Sequence, residues 1–455
     1  MRPTLMRSLL FLLPAGCALY SDVSISPLIL TPTQIERGSD LQSMLRKADY
    51  LRAIEMTPVI ESRPRRTASD LLALGQAELI AGRYDAARRH LRAAWDLEPF
   101  RTTSAQIAWA LSQLEYLTNN HEASLDWAEL AQSHGLSLRE WHLDYLRALA
   151  PLQVYRIRGA DHEEMPLRST RPDIPRVEVR LNGRREVWAV IDSGAVLSIV
   201  SQRLAAELPV SRLGSMKGMF YGLLGEPIPV EFGLLESVHL GEMAVENVPV
   251  AIMPDEKMRF VFGGKREFRI DFLLGANFLK EFRLELDFPR DAARFTYLTS
   301  ADRIPDANQN LFISDFRPMV RGTINRRGWY LFLLDTGSEV TFLNETHIHT
   351  LPIHQAAPRV HGATLQGLGG AKKRGARIDD LEIGIDRWAG LFRSVPVYAS
   401  SESENSAGII GENFLRNFLV VIDFGKMRLD LIRGGRRPEP SPQSKVTSSS
   451  VPHGA

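Results

Sequence analysis

The sequence predicts a multidomain chain, with an N-terminal α-helical repeat domain followed by an all-β region of two homologous lobes. Three observations carry this. Between residues 41 and 150 apolar side chains recur every three to four positions, and prolines are few. That is the period of a helix buried on one face. From 176 to 432, short apolar runs alternate with Gly, Pro and Asn turns, as in strands. The second region also repeats its own order of motifs. At 455 residues and 44% apolar composition, the chain is long enough for several cores. Its net charge of +1 gives no global reason to expect nucleic acid as a partner.

In the helical region Leu71, Leu74, Gly75, Gly82, Tyr84, Ala87, Leu91, Ala94 and Pro99 are spaced so that small residues let two helices approach closely. This spacing resembles a tetratricopeptide repeat, with Glu78 standing where that family usually has an aromatic. Residues 48–53 echo Tyr84 and Ala87 at an offset of 34, and a weaker third unit surrounds Ala123, Trp127 and Leu130. The resemblance implies a surface for protein partners. A generic helical hairpin bundle is the competing reading.

The flanking segments read differently. Residues 1–17 begin with Arg2 and Arg7, continue with the apolar run Leu9 to Leu13, and end in Ala15-Gly16-Cys17. This is the pattern of a signal peptide. The ending resembles a bacterial lipoprotein signal, which implies lipidation of Cys17 and membrane anchoring in the periplasm or at the cell exterior. Pro14 replaces the usual Leu three residues before the Cys, and an ordinary cleaved signal is the alternative. Residues 18–40 read as a tether. Residues 151–175 read as a linker with a short strand near its start. Residues 433–455, rich in Ser, Pro and Gly, read as a disordered tail.

The internal repeat carries the functional argument. Residues 176–200 align with 319–343 at an offset of 143: Asn182 with Asn325, then an apolar strand, then Asp192-Ser193-Gly194 with Asp335-Thr336-Gly337. Residues 273–295 align with 409–431 at an offset of 136. There Leu-Leu-Gly275-Ala-Asn-Phe-Leu matches Ile-Ile-Gly411-Glu-Asn-Phe-Leu, and Asp287 matches Asp423. Order, spacing and residue type all repeat, which defines lobe 1 as residues 176–300 and lobe 2 as 301–432.

Asp-[Ser/Thr]-Gly after an apolar strand, with a later apolar-apolar-Gly, resembles the aspartic peptidases. Two copies in one chain resemble the pepsin type. The short lobes and Asp-Ser-Gly-Ala resemble a tandem of retropepsin-like units of the kind carried by bacterial envelope proteins. The resemblance covers 176–432 and implies an all-β double-lobed acid-protease fold with Asp192 and Asp335 as the catalytic pair. It also implies that Ser193 and Thr336 hydrogen-bond across the lobes, and that Gly194 and Gly337 permit a close approach. Ser338 is placed to hydrogen-bond its own aspartate, whereas Ala195 cannot. Gly275 and Gly411 are expected to pack beside the loops as structural glycines.

Two carboxyls sharing one proton supply both a base for water and an acid for the carbonyl oxygen. Like charges in close contact resist joint ionisation, so the titration belongs to the pair. This chemistry calls for no cofactor and no metal. Glycine-bearing hairpins at Tyr221-Gly222 and at Gln366-Gly367-Leu368-Gly369 lie 30 and 32 residues after the aspartates, counted to Gly222 and Gly367. They are candidate flaps over an extended peptide, with plain surface hairpins as the alternative. The sequence therefore reads as an aspartic endopeptidase acting on a peptide or protein substrate. The competing reading is a non-catalytic peptide-binding or scaffold protein of the cell envelope built on the same fold and the helical repeats.

Overall fold

The computed structural model describes residues 23–28, 41–46, 50–97, 103–169, 174–221, 226–262, 266–353, 359–366, 372–398 and 406–434. The expectations for Cys17, Gly222, Gly367, Gly369, the signal peptide and the tail beyond Gly434 lie outside the described residues.

Among the described residues, seven helices lie between 41 and 149: α1 (Leu41–Arg46), α2 (Tyr50–Glu61), α3 (Ala68–Ile80), α4 (Tyr84–Leu97), α5 (Ser104–Leu117), α6 (His121–Ser133) and α7 (Glu140–Leu149). Helix α3 starts at a capping box. The Thr67 hydroxyl accepts from the Asp70 amide at 3.1 Å, and the Asp70 carboxylate accepts from the Thr67 amide at 2.9 Å. A Cβ at Gly75 would lie 2.5 Å from Leu91 Cγ, which is why a glycine stands where α3 meets α4. Ala53, Leu74, Ala77, Leu91, Ile107 and Leu111 form the buried helical core. Glu78, the departure noted above, is buried, and its carboxylate meets His90 Nδ1 at 2.8 Å.

Each lobe is built on a nine-stranded sheet, and the main paths of the two sheets match over their first seven strands. In lobe 1 the main path runs Arg156–Gly159, Met243–Met253, Ser198–Ser201, Phe272–Leu274, Arg185–Ile191, Arg176–Leu181, Pro227–Leu240 and Ser211–Arg212. In lobe 2 it runs Val23–Pro27, Trp388–Tyr398, Phe342–Asn344, Gly408–Ile410, Arg327–Leu334, Arg317–Ile324, Lys372–Ile385 and Arg359–Gln366. The paired asparagines explain part of the sequence repeat. Asn182 and Asn325 both turn at positive φ, and each side-chain oxygen accepts an amide, from Ser237 and Glu382 respectively, at 3.2 Å.

Both flanking segments add strands to the sheets. The segment read as a linker contributes Arg156–Gly159 to the edge of the lobe 1 sheet and His162–Pro166 to a third sheet. The segment read as a tether contributes Val23–Pro27 to the equivalent edge of lobe 2. An open sheet edge leaves backbone groups unpaired, and these segments cover it.

The third sheet joins the lobes. Its central pair is Phe282–Asp287 with Leu419–Asp423, one strand from each repeat, in the register Arg283↔Asp423 to Asp287↔Leu419. The helical domain rests on both lobes. Tyr50, Leu51, Ile54 and Ile80 cover Phe312, Met319, Leu331 and Leu333 of lobe 2. On lobe 1, Trp141 of α7 stacks on Phe232 at 5.7 Å, and the Asp144 carboxylate accepts the amides of Ser215 at 2.6 Å and Met216 at 2.9 Å.

Candidate active site

Each aspartate leaves the end of a buried apolar strand. The parallel neighbour of that strand fixes the exit: the Asp192 amide donates to Leu274 O at 3.0 Å, and the Asp335 amide to Ile410 O at 3.1 Å. The two loops then meet. The Thr336 hydroxyl donates to Ile191 O at 2.7 Å and accepts from the Ser193 amide at 3.0 Å. The Ser193 hydroxyl donates to Leu334 O at 2.5 Å and accepts from the Thr336 amide at 3.2 Å. Both side chains are fully buried, so these four bonds bind the lobes reciprocally and within one chain.

The glycines stand where no side chain fits. A Cβ at Gly194 would lie 2.5 Å from Asp335 Cγ, and one at Gly337 would overlap Asp192 equally. Each aspartate is thus seated against the other repeat's glycine. The Asp192 carboxylate accepts the amides of Gly194 at 2.9 Å and Ala195 at 3.0 Å. The Asp335 carboxylate accepts the Gly337 amide at 2.9 Å. Burial pushes the Asp192 carboxyl above its ordinary range. The Ala195 amide, a hydrogen bond with Asp335, the Gly194 amide and the charge of Arg317 pull the other way without cancelling it.

Ser338 departs from expectation. Its hydroxyl donates to Val340 O at 2.9 Å, a local backbone acceptor that competes successfully with the aspartate. Gly275 and Gly411 pack against the backbones of Leu197 and Val340, beside the two loops. Tyr221 ends the strand Gly218–Tyr221 and is 45% exposed.

A pair of asparagines supports the loops from behind. Three short helices follow the loops: α8 (Gln202–Glu207), α9 (Ala276–Leu279) and α10 (Glu412–Leu415). In α9 the Asn277 side chain accepts from the Ser198 amide at 2.7 Å, and the Ala276 amide donates to Ala195 O at 2.7 Å. In α10 the Asn413 side chain accepts from the Thr341 amide at 2.8 Å, and the Glu412 amide donates to Ser338 O at 2.8 Å. The Ser198 and Thr341 hydroxyls accept the Gly275 and Gly411 amides at 3.1 and 3.0 Å. The signal lay in the repeated Asn-Phe-Leu, which both copies share.

Among the described residues, Glu61, Glu78 and His90 bring ligand-type atoms within 4.8 Å of one another. This group lies on the helical domain, and its buried members already satisfy each other through the Glu78–His90 contact.

Residues 177–278 match the family model described as aspartyl protease. That span holds Asp192, Gly194, Gly275 and Asn277. Similar solved structures include a retropepsin-like aspartic protease from Rickettsia conorii, at 16% identity and a TM-score of 0.21, over 32% of this chain and 97% of that one. Another is conglutin gamma, a basic 7S globulin from lupine seeds, at 13% identity and a TM-score of 0.35, over 60% of this chain and 94% of that one. No curated protein matches the chain.

Proposed function

We propose that this chain is an aspartic endopeptidase that hydrolyses peptide bonds with water activated between Asp192 and Asp335. The observation that carries the reading is the reciprocal seating of two carboxyls, each against the other repeat's glycine and joined by a hydrogen bond. Such a pair shares one proton. The raised Asp192 carboxyl is suited to hold it and to donate it to the carbonyl oxygen. Asp335 then takes a proton from the attacking water. The fixed amides at each loop keep both groups oriented without reorganisation. No covalent intermediate forms, and the two product termini leave with the proton returned to the pair.

In this reading the hairpins at Tyr221-Gly222 and at Gly367-Leu368-Gly369 cover an extended substrate. The segment 1–17 directs export, and Cys17 anchors the protein to a membrane. Asp192→Asn and Asp335→Asn test the core of it. Each is expected to lower peptide hydrolysis by about 10³-fold or more while leaving the fold intact by circular dichroism. Because both aspartates come from one chain, a mixture of the two variants stays inactive. Activity surviving either substitution removes the pair from the reaction, and recovery in the mixture places the working site between chains.

A further inference from the structure

Directly after α9, Lys280 and Glu281 enter a buried polar junction. The Glu281 carboxylate is 3% exposed. It accepts from Asn119 Nδ2 at 2.9 Å and from Arg303 Nη2 at 2.7 Å, and it pairs with Lys280 Nζ. Lys280 Nζ also donates to Asn119 Oδ1 at 2.7 Å, and Arg303 Nη1 donates to Lys280 O at 3.1 Å. Asn119 belongs to the α5–α6 turn of the helical domain, and Arg303 to the segment that opens lobe 2. Three parts of the molecule therefore meet on two consecutive residues.

Those residues continue the helix that buttresses the catalytic loop. The Lys280 amide donates to Ala276 O at 3.0 Å, and Ala276 in turn holds Ala195. Lys280 Nζ lies 5.4 Å from the centre of the Tyr155 ring, and the Tyr155 hydroxyl accepts from Asn277 at 2.7 Å. Beside them a cavity of about 20 Å³ is lined by Tyr84, Leu117, Ala276, Lys280, Arg303 and Phe316, among others, enough for one water. At the offset of 136, lobe 2 has Arg416 and Asn417. These turn inward on their own helix, Arg416 to Glu412 at 3.3 Å and Asn417 to Phe414 O at 2.9 Å. The symmetric framework needs no acid at this position, so the buried Glu281 serves something only lobe 1 has.

We propose that Glu281 is a positioning residue for the Asp192 loop, acting through α9, and that Asn119 makes the helical domain part of the catalytic unit. This rests on the peptidase reading above. Burial alone would push the Glu281 carboxyl up, but Lys280, Arg303 and Asn119 hold it below its ordinary value, so it stays charged as the junction requires.

The test uses the full chain with Glu281→Gln and, as the milder change, Asn119→Ala. Two readouts are needed: steady-state kinetics on a peptide the parent cleaves, and amide exchange of residues 193–198 and 276–279 against 336–341. Misplacing a catalytic group by a fraction of an ångström lowers turnover, so kcat is expected to fall about 10–100-fold with KM within about twofold. Exchange is expected to quicken in the first two segments and stay unchanged in the third. A purely structural role would instead lower stability and quicken exchange throughout, with kcat per folded molecule retained. That pattern, or unchanged exchange in both variants, overturns the proposal. If the parent cleaves no peptide, the peptidase reading fails, and the exchange pattern still decides whether Glu281 and Asn119 hold the loop. Should Glu281→Gln not fold, Asn119→Ala carries the same comparison.

Discussion

The two lobes share one arrangement of strands around their aspartate-bearing loops, yet their sheets are covered by different means. In lobe 2, Met319, Leu331 and Leu333 are buried under α2. The equivalent lobe 1 positions, 143 residues earlier, are Arg176, Trp188 and Val190. There the Arg168 guanidinium stacks on Trp188 at 4.1 Å and Arg176 lies 5.2 Å from the centre of the Phe268 ring. Phe268 comes from a hairpin, Arg259–Phe262 with Arg266–Arg269, in the stretch that makes the aspartate-to-glycine spacing longer in lobe 1. Duplication thus kept what the pair of loops needs and let each lobe solve its own burial problem.

Substitutions on these two faces sharpen the contrast. Leu331→Ala empties a site closed by both a sheet and a helix, and is expected to cost about 2–5 kcal/mol in urea unfolding. Trp188→Ala removes a half-buried ring and a cation–π contact, and is expected to cost less, about 1–2 kcal/mol. Equal costs would mean that the stacked arginines protect lobe 1 as fully as α2 protects lobe 2.

Across the loops the symmetry should hold instead. Ser193→Ala and Thr336→Val each delete two buried hydrogen bonds and strand their partners. Each is expected to cost about 1–3 kcal/mol, and the two should agree closely. A large difference would show that one lobe carries the grip alone.

The smallest effect concerns pH. A carboxyl raised by burial contributes stability in its protonated form below the ordinary carboxylate range, and loses it as pH rises through the folded-state value. Asp192→Asn removes that loss. The variant should melt above the parent at neutral pH, and the gap should close below about pH 4. A gap that widens on acidification would mean the aspartate is held charged rather than neutral.

Much of this was legible because duplication writes the same constraints twice. Asp192, Asp335, their hydroxyl neighbours and the four glycines stood at fixed offsets, and the structure brings them together. Asn277 and Asn413 stand in the repeated Asn-Phe-Leu, but a shared residue type does not by itself reveal which backbone amide its side chain holds. The Ser338 hydroxyl bonds Val340 O within its own loop, and sequence does not rank that acceptor against the nearby aspartate. Glu281 was illegible, since its meaning comes from Asn119, more than 160 residues away, and its lobe 2 counterpart is not an acid. The edge strands were legible in part: Arg156–Gly159 overlaps the short strand expected near the start of the linker, whereas the five-residue Val23–Pro27 lies in the segment read as a tether. Their register is set by partners far along the chain.

The strand Val23–Pro27 has a consequence for how the molecule comes into being. It pairs Val23 with Phe392, and the Leu28 amide donates to Arg387 O at 2.8 Å. Ribosomes deliver the N-terminus first, so this strand emerges with its partner still unmade. The seven helices and all of lobe 1 can assemble while it waits, and lobe 1 closes its own edge with a strand from just before it. Lobe 2 gains its matching edge only when residues 388–398 have been synthesised and the two distant segments meet. Closing so long a loop is slow relative to local pairing. The lobe 2 edge is therefore expected to be the last part of the protein to be sealed, and the surface most open to wrong partners until then.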